Sequence, residues 1–230
     1  MTIAAARDLV ILDVPEEARA AHARLLGADP AERYSAGGID VAVGAPSWAR
    51  GSGLLVATDA VAPAVQLAER RGLRLTDVGI GFAGAADGLV LGLVGPSEPA
   101  AEPGAEITGV DHIVLTSPNR DRIIAALCGR LDFDLRLDRV QSWGVHQLFL
   151  RRGDLLIEVV LQEGENVDPA GPDGLWGVAW RTADADATHA RLTGQGITVS
   201  DVRRGAKPGT RVATVKDPGL GIPTIVLEQS

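Results

Sequence analysis

Hydrophobic and polar residues follow two different periods along the second half of the chain. Short apolar runs bounded by turn residues, such as HIVLT at 112–116, predict strands, whereas apolar residues at helical spacing predict a helix over 119–131. The same reasoning predicts a second helix over 184–196, which ends at a glycine. Residues 145–161 predict a β-hairpin that turns at Gly153. From residue 109 onward the predicted order is therefore β-α-β-β-β, and this order occurs twice.

The first half of the chain repeats this order in a shortened form. Residues 7–27 resemble residues 110–130, and residues 54–78 resemble residues 178–202. Self-similarity at a fixed spacing is typical of a chain built from related structural units. We therefore predict four related modules, of which the first pair is truncated.

A segment rich in proline, glutamate, alanine and glycine separates the two halves. Residues 95–108, GPSEPAAEPGAEIT, show no apolar period, which is typical of a linker. We therefore predict a truncated, degenerate domain over 1–95, a linker over 96–108 and a complete two-module domain over 109–230.

Charge and cysteine content narrow the class of protein. With 22 Lys and Arg against 30 Asp and Glu, the net charge is −8, which argues against binding nucleic acid or an anionic membrane surface. Cys128 is the only cysteine, so no intrachain disulfide can form. No apolar run reaches the roughly 20 residues of a membrane span, and the N-terminus lacks the basic start of a signal peptide. We expect a cytoplasmic protein.

Four segments of the second half resemble one protein family. They are DHIVLTSPNRD from residue 111, FLRRGDLLIEVV from 149, VAWRTADADATHARLTGQGI from 178 and PGTRVATVKDPGLGIPTIVLE from 208. Their order and spacing resemble the vicinal oxygen chelate superfamily, the group of glyoxalase I, bleomycin-resistance proteins and extradiol dioxygenases. The resemblance implies an α+β fold in which paired βαβββ modules form curled mixed sheets, with helices on the outer face. It also implies a cup that often holds a divalent metal, bound by the first and last strands of each module.

The resemblance assigns candidate metal ligands to particular positions. His112 stands at the family's first-strand histidine, and Glu158 stands at the carboxylate of the last strand of the same module. The second module holds Gly177 where its histidine should be, and Thr224 or Ile225 where its carboxylate should be. Without the resemblance, His112 would be a polar residue at a strand start, bonded to a nearby carboxylate.

The equivalent positions of the first half offer fewer donors. Leu9 stands at the histidine position, Gly53 matches Gly177, and Asp40 stands at the position of Glu158. We therefore expect the first half to be free of metal.

A third ligand would have to come from elsewhere in the sheet. Glu158 should face the cup because its apolar neighbours should face the helices, and a two-residue hairpin turn places Gln147 opposite it. A three-residue turn would bring His146 there instead, since a one-residue change of register exchanges the faces. We favour Gln147, as a metal ligand or a substrate contact, and Glu228 is a more distant candidate. With His112, these residues could bind Zn, Mn, Fe, Ni or Mg, or the cup could hold no metal.

Further residues are candidates for contact with a small-molecule ligand. Phe149 and Arg151 share the predicted cup face of the hairpin. Trp143 and Trp176 lie on predicted loops, where they either wall a pocket or pack at its rim. Arg181 is a further ligand contact, although Arg181 or Arg151 could instead pair with the carboxylate of the hairpin.

These residues favour a small-molecule enzyme over other classes of protein. The resemblance implies a lyase, isomerase or dioxygenase with an incomplete metal site, in which Glu158 and His112 are catalytic. The alternative is a metal-free protein that binds and sequesters a small, partly aromatic molecule, as the drug-resistance members of the family do. A chiefly structural role is a third hypothesis, and a homodimer is left open.

Overall fold

The computed structural model describes residues 6–98, 100–104 and 106–229, whose strands form two mixed sheets. The strands of the first sheet are β1 (Asp8–Leu12), β2 (Arg33–Ala36), β3 (Ile39–Val43), β4 (Gly53–Ala57), β5 (Thr76–Asp77), β6 (Gly81–Ala86) and β7 (Leu89–Val94). Those of the second are β8 (Ile107–Ser117), β9 (Asp134–Val140), β10 (His146–Arg152), β11 (Leu155–Leu161), β12 (Gly174–Thr182), β13 (Arg203–Arg204), β14 (Thr210–Val215) and β15 (Thr224–Gln229). The α-helices are α1 (Ala18–Leu26), α2 (Val61–Arg70), α3 (Arg120–Ile124) and α4 (Ala185–Gly194).

Both sheets are built on the same arrangement of strands. The orders are β2-β3-β1-β4-β7-β6-β5 and β13-β14-β15-β12-β8-β11-β10-β9. In each sheet the two central strands run antiparallel, and each pairs in parallel with the last strand of its own module. Three modules follow the order β-α-β-β-β, while the first, β1-α1-β2-β3, has one strand fewer. The predicted α+β class, with curled mixed sheets, is confirmed.

Alternate residues of the central strands face the helices. Val10 and Leu12 of β1 belong to the same continuous buried cluster as Ile113 and Leu115 of β8. The helix layers of the two sheets meet, since Arg191 of α4 donates hydrogen bonds of 2.8 and 2.9 Å to backbone oxygens at the end of α1. The concave face of each sheet therefore points away from this shared core.

The third helix begins at the predicted residue and then changes its hydrogen-bond pattern. The side chain of Asn119 accepts a hydrogen bond from the backbone nitrogen of Arg122 at 3.0 Å and caps the helix. Beyond α3 the chain continues as a π-helix over Ala125–Arg130, and Ile123 and Leu127 pack into the shared core. None of the helices in the described part of the chain is long and apolar enough to cross a membrane.

The segment between the two sheets lies along the edge of the first sheet. Ala101 forms a parallel bridge with Tyr34, and its oxygen accepts a hydrogen bond from the backbone nitrogen of Ser35 at 2.7 Å. β8 begins at Ile107, inside the segment predicted as a linker. The domain boundaries at residues 95 and 109 stay a prediction.

Candidate active site

Strand β8 is bulged where two polar residues enter its concave face. Val110 and His112 pair with consecutive residues of β12, so Asp111 is the extra residue of a β-bulge. The bulge turns Asp111 and His112 to the same side, whereas Val110 and Ile113 on either side of them belong to the shared core. We call the concave face of the second sheet, which carries Asp111, His112 and Glu158, the cup.

A chain of polar contacts crosses the cup from β12 to β10. Arg181 Nε lies 3.5 Å from Asp111 Oδ1, and Asp111 Oδ2 lies 2.9 Å from His112 Nδ1. His112 Nε2 faces Glu158 Oε2 at 3.6 Å, and Glu158 Oε1 accepts a hydrogen bond from Gln147 Nε2 at 2.5 Å. Because Asp111 accepts at Nδ1, the neutral imidazole carries its proton there, and Nε2, which faces Glu158, can take up or release a proton.

The hairpin of β10 and β11 has a two-residue turn that starts at Gly153. Gln147, Phe149 and Arg151 face the cup, because the leucines between them belong to the shared core. Phe149 pairs directly with Glu158, so the prediction that Gln147 lies opposite Glu158 is wrong by two residues along the strand. Gln147 reaches the carboxylate diagonally, which the length of its side chain allows.

The two carboxyl groups of the cup differ in their tendency to ionise. Burial raises the pKa of Glu158 above the ordinary range, although the charge of His112 and the hydrogen bond from Gln147 oppose the change. Burial would also raise the pKa of Asp111, but the hydrogen bond and charge of His112, together with Arg181, outweigh it and lower the pKa. The cup therefore combines one carboxyl group that holds its proton easily with another that stays ionised.

The donor set of the cup does not fit a catalytic metal centre, which takes about three protein ligands and an open position. His112 and Glu158 offer one nitrogen and one oxygen. Gln147 presents its amide nitrogen to Glu158, while its oxygen accepts a hydrogen bond from Gln141 Nε2 at 2.5 Å. Within the described ranges, no three His, Cys, Asp or Glu side chains are grouped so that they could hold a metal ion.

The fourth module adds no donor to the cup. Gly177 stands at its histidine position, and a Cβ atom there would lie 3.0 Å from the backbone oxygen of Pro223. Ile225, not Thr224, pairs with the central strand at the point equivalent to the carboxylate position. Glu228 Oε2 accepts a hydrogen bond from the first backbone nitrogen of α4 at 2.8 Å. The expectation that Glu228 could serve the cup is therefore wrong, because it faces the helix.

The concave face of the first sheet is filled by the chain itself. Leu9, Ile11 and Leu55 belong to a second apolar cluster, which includes Ala49 from the loop between β3 and β4. Trp48 of the same loop packs against this cluster. The face that corresponds to the cup is therefore covered by protein.

One predicted equivalence in the first half is wrong. Pairing along the central strands makes Ala42, not Asp40, the counterpart of Glu158. Asp40 lies two residues earlier on the same face, where its buried carboxylate is 3.5 Å from Arg33 Nε. The short apolar strands β3 and β11 can be aligned in either of two registers by sequence alone, and pairing with the central strand decides between them.

The remaining predicted contacts lie at the edge of the cup or away from it. Trp176, predicted on a loop, lies instead within β12, as the extra residue of a bulge between Leu175 and Gly177. Trp143 and Trp176 are 64% and 55% exposed, and their contact with a ligand stays a prediction. His146, the alternative to Gln147, points away from the cup. Its two ring nitrogens lie 2.7 Å from carboxylate oxygens of Asp138 and Glu163.

Asp111 and Gln141 belong to the polar chain of the cup, and sequence reasoning missed both. Strict alternation places Asp111 on the opposite face from His112, because the sequence does not show the bulge. The available signal was the aspartate at the matching position of the first half, Asp8. Gln141 follows β9, and nothing in the sequence near it marks a site.

Comparison with known families agrees with this geometry. Residues 111–214 match the model of the Glyoxalase/Bleomycin resistance protein/Dioxygenase superfamily. The match includes every residue of the polar chain of the cup, and the resemblance in the sequence is confirmed. A comparison with curated proteins finds no match.

Solved structures share the fold of the chain. A xylose isomerase-like TIM barrel/4-hydroxyphenylpyruvate dioxygenase fusion protein is 15% identical, with a TM-score of 0.69 over 100% of this chain and 50% of its own. Methylmalonyl-CoA epimerase from Mycobacterium tuberculosis is 21% identical over 55% of this chain and 91% of its own, with a TM-score of 0.45. A Streptomyces coelicolor methylmalonyl-CoA epimerase variant in complex with 2-nitronate-propionyl-CoA is 22% identical over 54% and 99%, with a TM-score of 0.44. At 15% identity the likeness to the fusion protein shows the fold alone.

Proposed function

We propose that the cup catalyses proton transfer at the carbon next to a carbonyl group of a small molecule, as an isomerase, epimerase or lyase does. One observation carries the proposal. The half-buried carboxyl group of Glu158 faces Nε2 of His112 at 3.6 Å, and Asp111 holds the other side of the imidazole. Two groups that exchange protons are thus placed side by side on the concave face, where both side chains are partly exposed.

The proposed chemistry follows from the placement of the two groups. Ionised Glu158 takes the proton from the carbon, and the electron pair of the C–H bond moves onto the carbonyl oxygen. Protonated His112 donates from Nε2 to that oxygen, and the neutral enol then collapses by the reverse transfers. Because burial raises its pKa, Glu158 is a stronger base than an exposed carboxylate. Asp111 stays ionised and stabilises the imidazolium while it carries the proton.

The donor set favours this proposal over a dioxygenase. Non-haem iron oxygenases bind iron through two histidines and one carboxylate. The cup places one imidazole, His112, against Glu158, and the second histidine position is Gly177. Proton transfer needs only the acid–base pair that the cup brings together.

A binding protein is the second candidate, and one observation favours it. Trp143 and Trp176 are more than half exposed, and Phe149 faces the cup beside Glu158. Exposed aromatic rings bury large apolar areas when a planar ligand packs on them. A protein that only sequesters its ligand would use these rings and would not need Glu158 to ionise.

Exchange with deuterated solvent tests the proposed reaction. Pyruvate, 2-oxobutyrate and dihydroxyacetone phosphate are incubated with the protein in D2O, and proton NMR measures the loss of each signal next to the carbonyl. We expect exchange above the buffer rate with at least one compound, and a fall of about 100-fold or more in Glu158→Gln, since a general base contributes about 10²- to 10⁴-fold.

Glu165→Gln is the matched control, because Glu165 is an exposed carboxylate on the loop after β11. It should exchange at the wild-type rate. Equal rates for Glu158→Gln and wild type would contradict the proposal. Quenching of tryptophan fluorescence by the same compounds, with no exchange, would favour the binding protein instead.

A further inference from the structure

We propose that Arg181 binds an oxyanion group of the substrate, so that the cup takes small carbonyl compounds carrying a carboxylate or phosphate. This inference rests on the proposed function and specifies the substrate class for the same cup.

Arg181 lies on the cup face, close to the acid–base pair. Ala179 of β12 pairs with His112, and Arg181 follows two residues later on the same side of the strand. On the adjacent strand β15, Ile225 pairs with Ala179 and Leu227 pairs with Arg181, so two apolar side chains lie beside Arg181 on that face. An apolar surround weakens competition from water and strengthens the attraction between a guanidinium and an anion.

The contacts of Arg181 leave much of its guanidinium available. Both Nε and one terminal nitrogen lie 3.5 Å from Asp111 Oδ1, which is long for a charge-assisted hydrogen bond. No other acceptor for this side chain is found among the described residues, and it is 43% exposed. A guanidinium has five N–H donors in a planar fork that matches a carboxylate or phosphate.

The first half shows how an arginine behaves at the corresponding place when the face is filled. Asp8 occupies the position of Asp111, and Ala57 occupies the position of Arg181. The guanidinium of Arg152 lies there instead, 3.2 Å from Asp8 Oδ1, and donates to Ala57 O at 2.9 Å. That arginine is tied to protein on two sides, whereas Arg181 borders the open cup.

The charges around Arg181 also suit an anion. Asp111 shares its charge between His112 and Arg181. Arg181 and His112 are therefore the two groups of the cup that can carry positive charge, and both face the single carboxylate of Asp111.

Binding of malonate, measured by calorimetry, tests the inference with the full chain. We expect the Kd for malonate to rise about 10-fold or more in Arg181→Gln, because the hydrogen bonds from the charged guanidinium to the anion are lost. Arg181→Lys should fall between the two, because an ammonium keeps the charge but not the fork. Malonamide, the neutral isostere, should bind wild type at least 10-fold more weakly than malonate does. Inorganic phosphate distinguishes the oxyanions: binding of phosphate but not malonate assigns the site to phosphate esters.

Arg70→Gln is the matched control, because Arg70 is an exposed arginine on α2 of the first half, outside the cup. It should leave malonate binding unchanged. The inference is overturned if Arg181→Gln binds malonate as wild type does, or if Arg70→Gln loses as much affinity. Circular dichroism of each variant shows whether it is folded, and a misfolded Arg181→Gln leaves Arg181→Lys to decide.

The outcomes separate this inference from the proposed function. If exchange occurs but Arg181→Gln leaves KM for 2-oxobutyrate unchanged, the proposed function stands and the inference falls. If no compound exchanges while malonate still requires Arg181, the anion site stands without the reaction. If Arg181 only orients Asp111 and does not touch the substrate, Arg181→Gln will have a lower kcat and an unchanged KM. That result would also overturn the inference.

Discussion

Asp111 hydrogen-bonds the imidazole of His112, its immediate neighbour in the chain, at 2.9 Å. Neighbouring residues of a regular strand point to opposite faces, so this contact requires the bulge in β8. The bulge therefore allows Asp111, the residue next to His112 in the same strand, to orient the imidazole that would carry the proton.

Replacing Asp111 should weaken catalysis more than it weakens folding. In Asp111→Asn the amide cannot stabilise a charged imidazole, so we expect kcat for solvent exchange to fall about 10- to 100-fold, the usual cost of losing an orienting partner. KM should change little. Asp121→Asn, an exposed carboxylate on α3, is the control and should keep the wild-type kcat. A wild-type kcat in Asp111→Asn would show that the contact has no part in the reaction.

The raised pKa of Glu158 makes stability depend on pH. The folded state favours the protonated carboxyl, so this stabilisation is complete below the ordinary pKa of glutamate and is lost as pH rises through the raised pKa. Glu158→Gln keeps a neutral side chain at every pH. We therefore expect the two proteins to melt alike near pH 4 and the variant to melt higher at neutral pH. A variant that melts lower at neutral pH would contradict the assigned direction.

Metal removal should leave the protein intact. Because His112 and Glu158 are joined by no third donor in the described structure, dialysis against a chelator is expected to leave the thermal midpoint unchanged. Added Mn²⁺, Fe²⁺, Ni²⁺ or Zn²⁺ should shift the midpoint of wild type no more than that of His112→Ala. The prediction would be contradicted if the purified protein contained stoichiometric metal and the His112→Ala variant contained none.

Three glycines should differ in their tolerance of alanine. A Cβ atom at Gly53 would lie 1.9 Å from the backbone oxygen of Val90, and one at Gly177 would lie 3.0 Å from that of Pro223. Nothing lies within 4 Å of a Cβ atom at Gly129. Forcing atoms into packed sites costs about 1–3 kcal/mol, so urea unfolding should rank Gly53→Ala as least stable and Gly177→Ala next. Gly129→Ala should equal or exceed wild type, because alanine favours helices over glycine. Any other ranking would refute the packing argument.

The loop that covers the first sheet should contribute to stability. Trp48→Ala removes the ring that packs on the concave face of the first sheet, and we expect a loss of about 1–3 kcal/mol in the free energy of unfolding. Trp143→Ala, at an exposed position, should change it by less than about 0.5 kcal/mol. Similar losses in the two variants would show that Trp48 is not part of a packed cover.

The order of elements and the family could be predicted because they depend on local patterns. Helical spacing behind Asn119 and the two-residue turn at Gly153 are properties of neighbouring residues, and both occur as predicted. Alternation along β10 and β11 placed Gln147 and Glu158 on one face for the same reason. The predicted pairing was wrong by two residues, because a shift of two residues keeps every side chain on the same face of the strand.

The sequence by itself determined the βαβββ order, the superfamily and the positions of His112 and Glu158, because periodicity and motif spacing are written along the chain. Only the tertiary structure decided which of these residues meet. The bulge that turns Asp111 toward His112 depends on pairing with β12. The raised pKa of Glu158 depends on burial by distant strands, and the cover over the first sheet depends on where one loop folds. Such contacts arise from packing between segments far apart in the chain, which local sequence patterns do not encode.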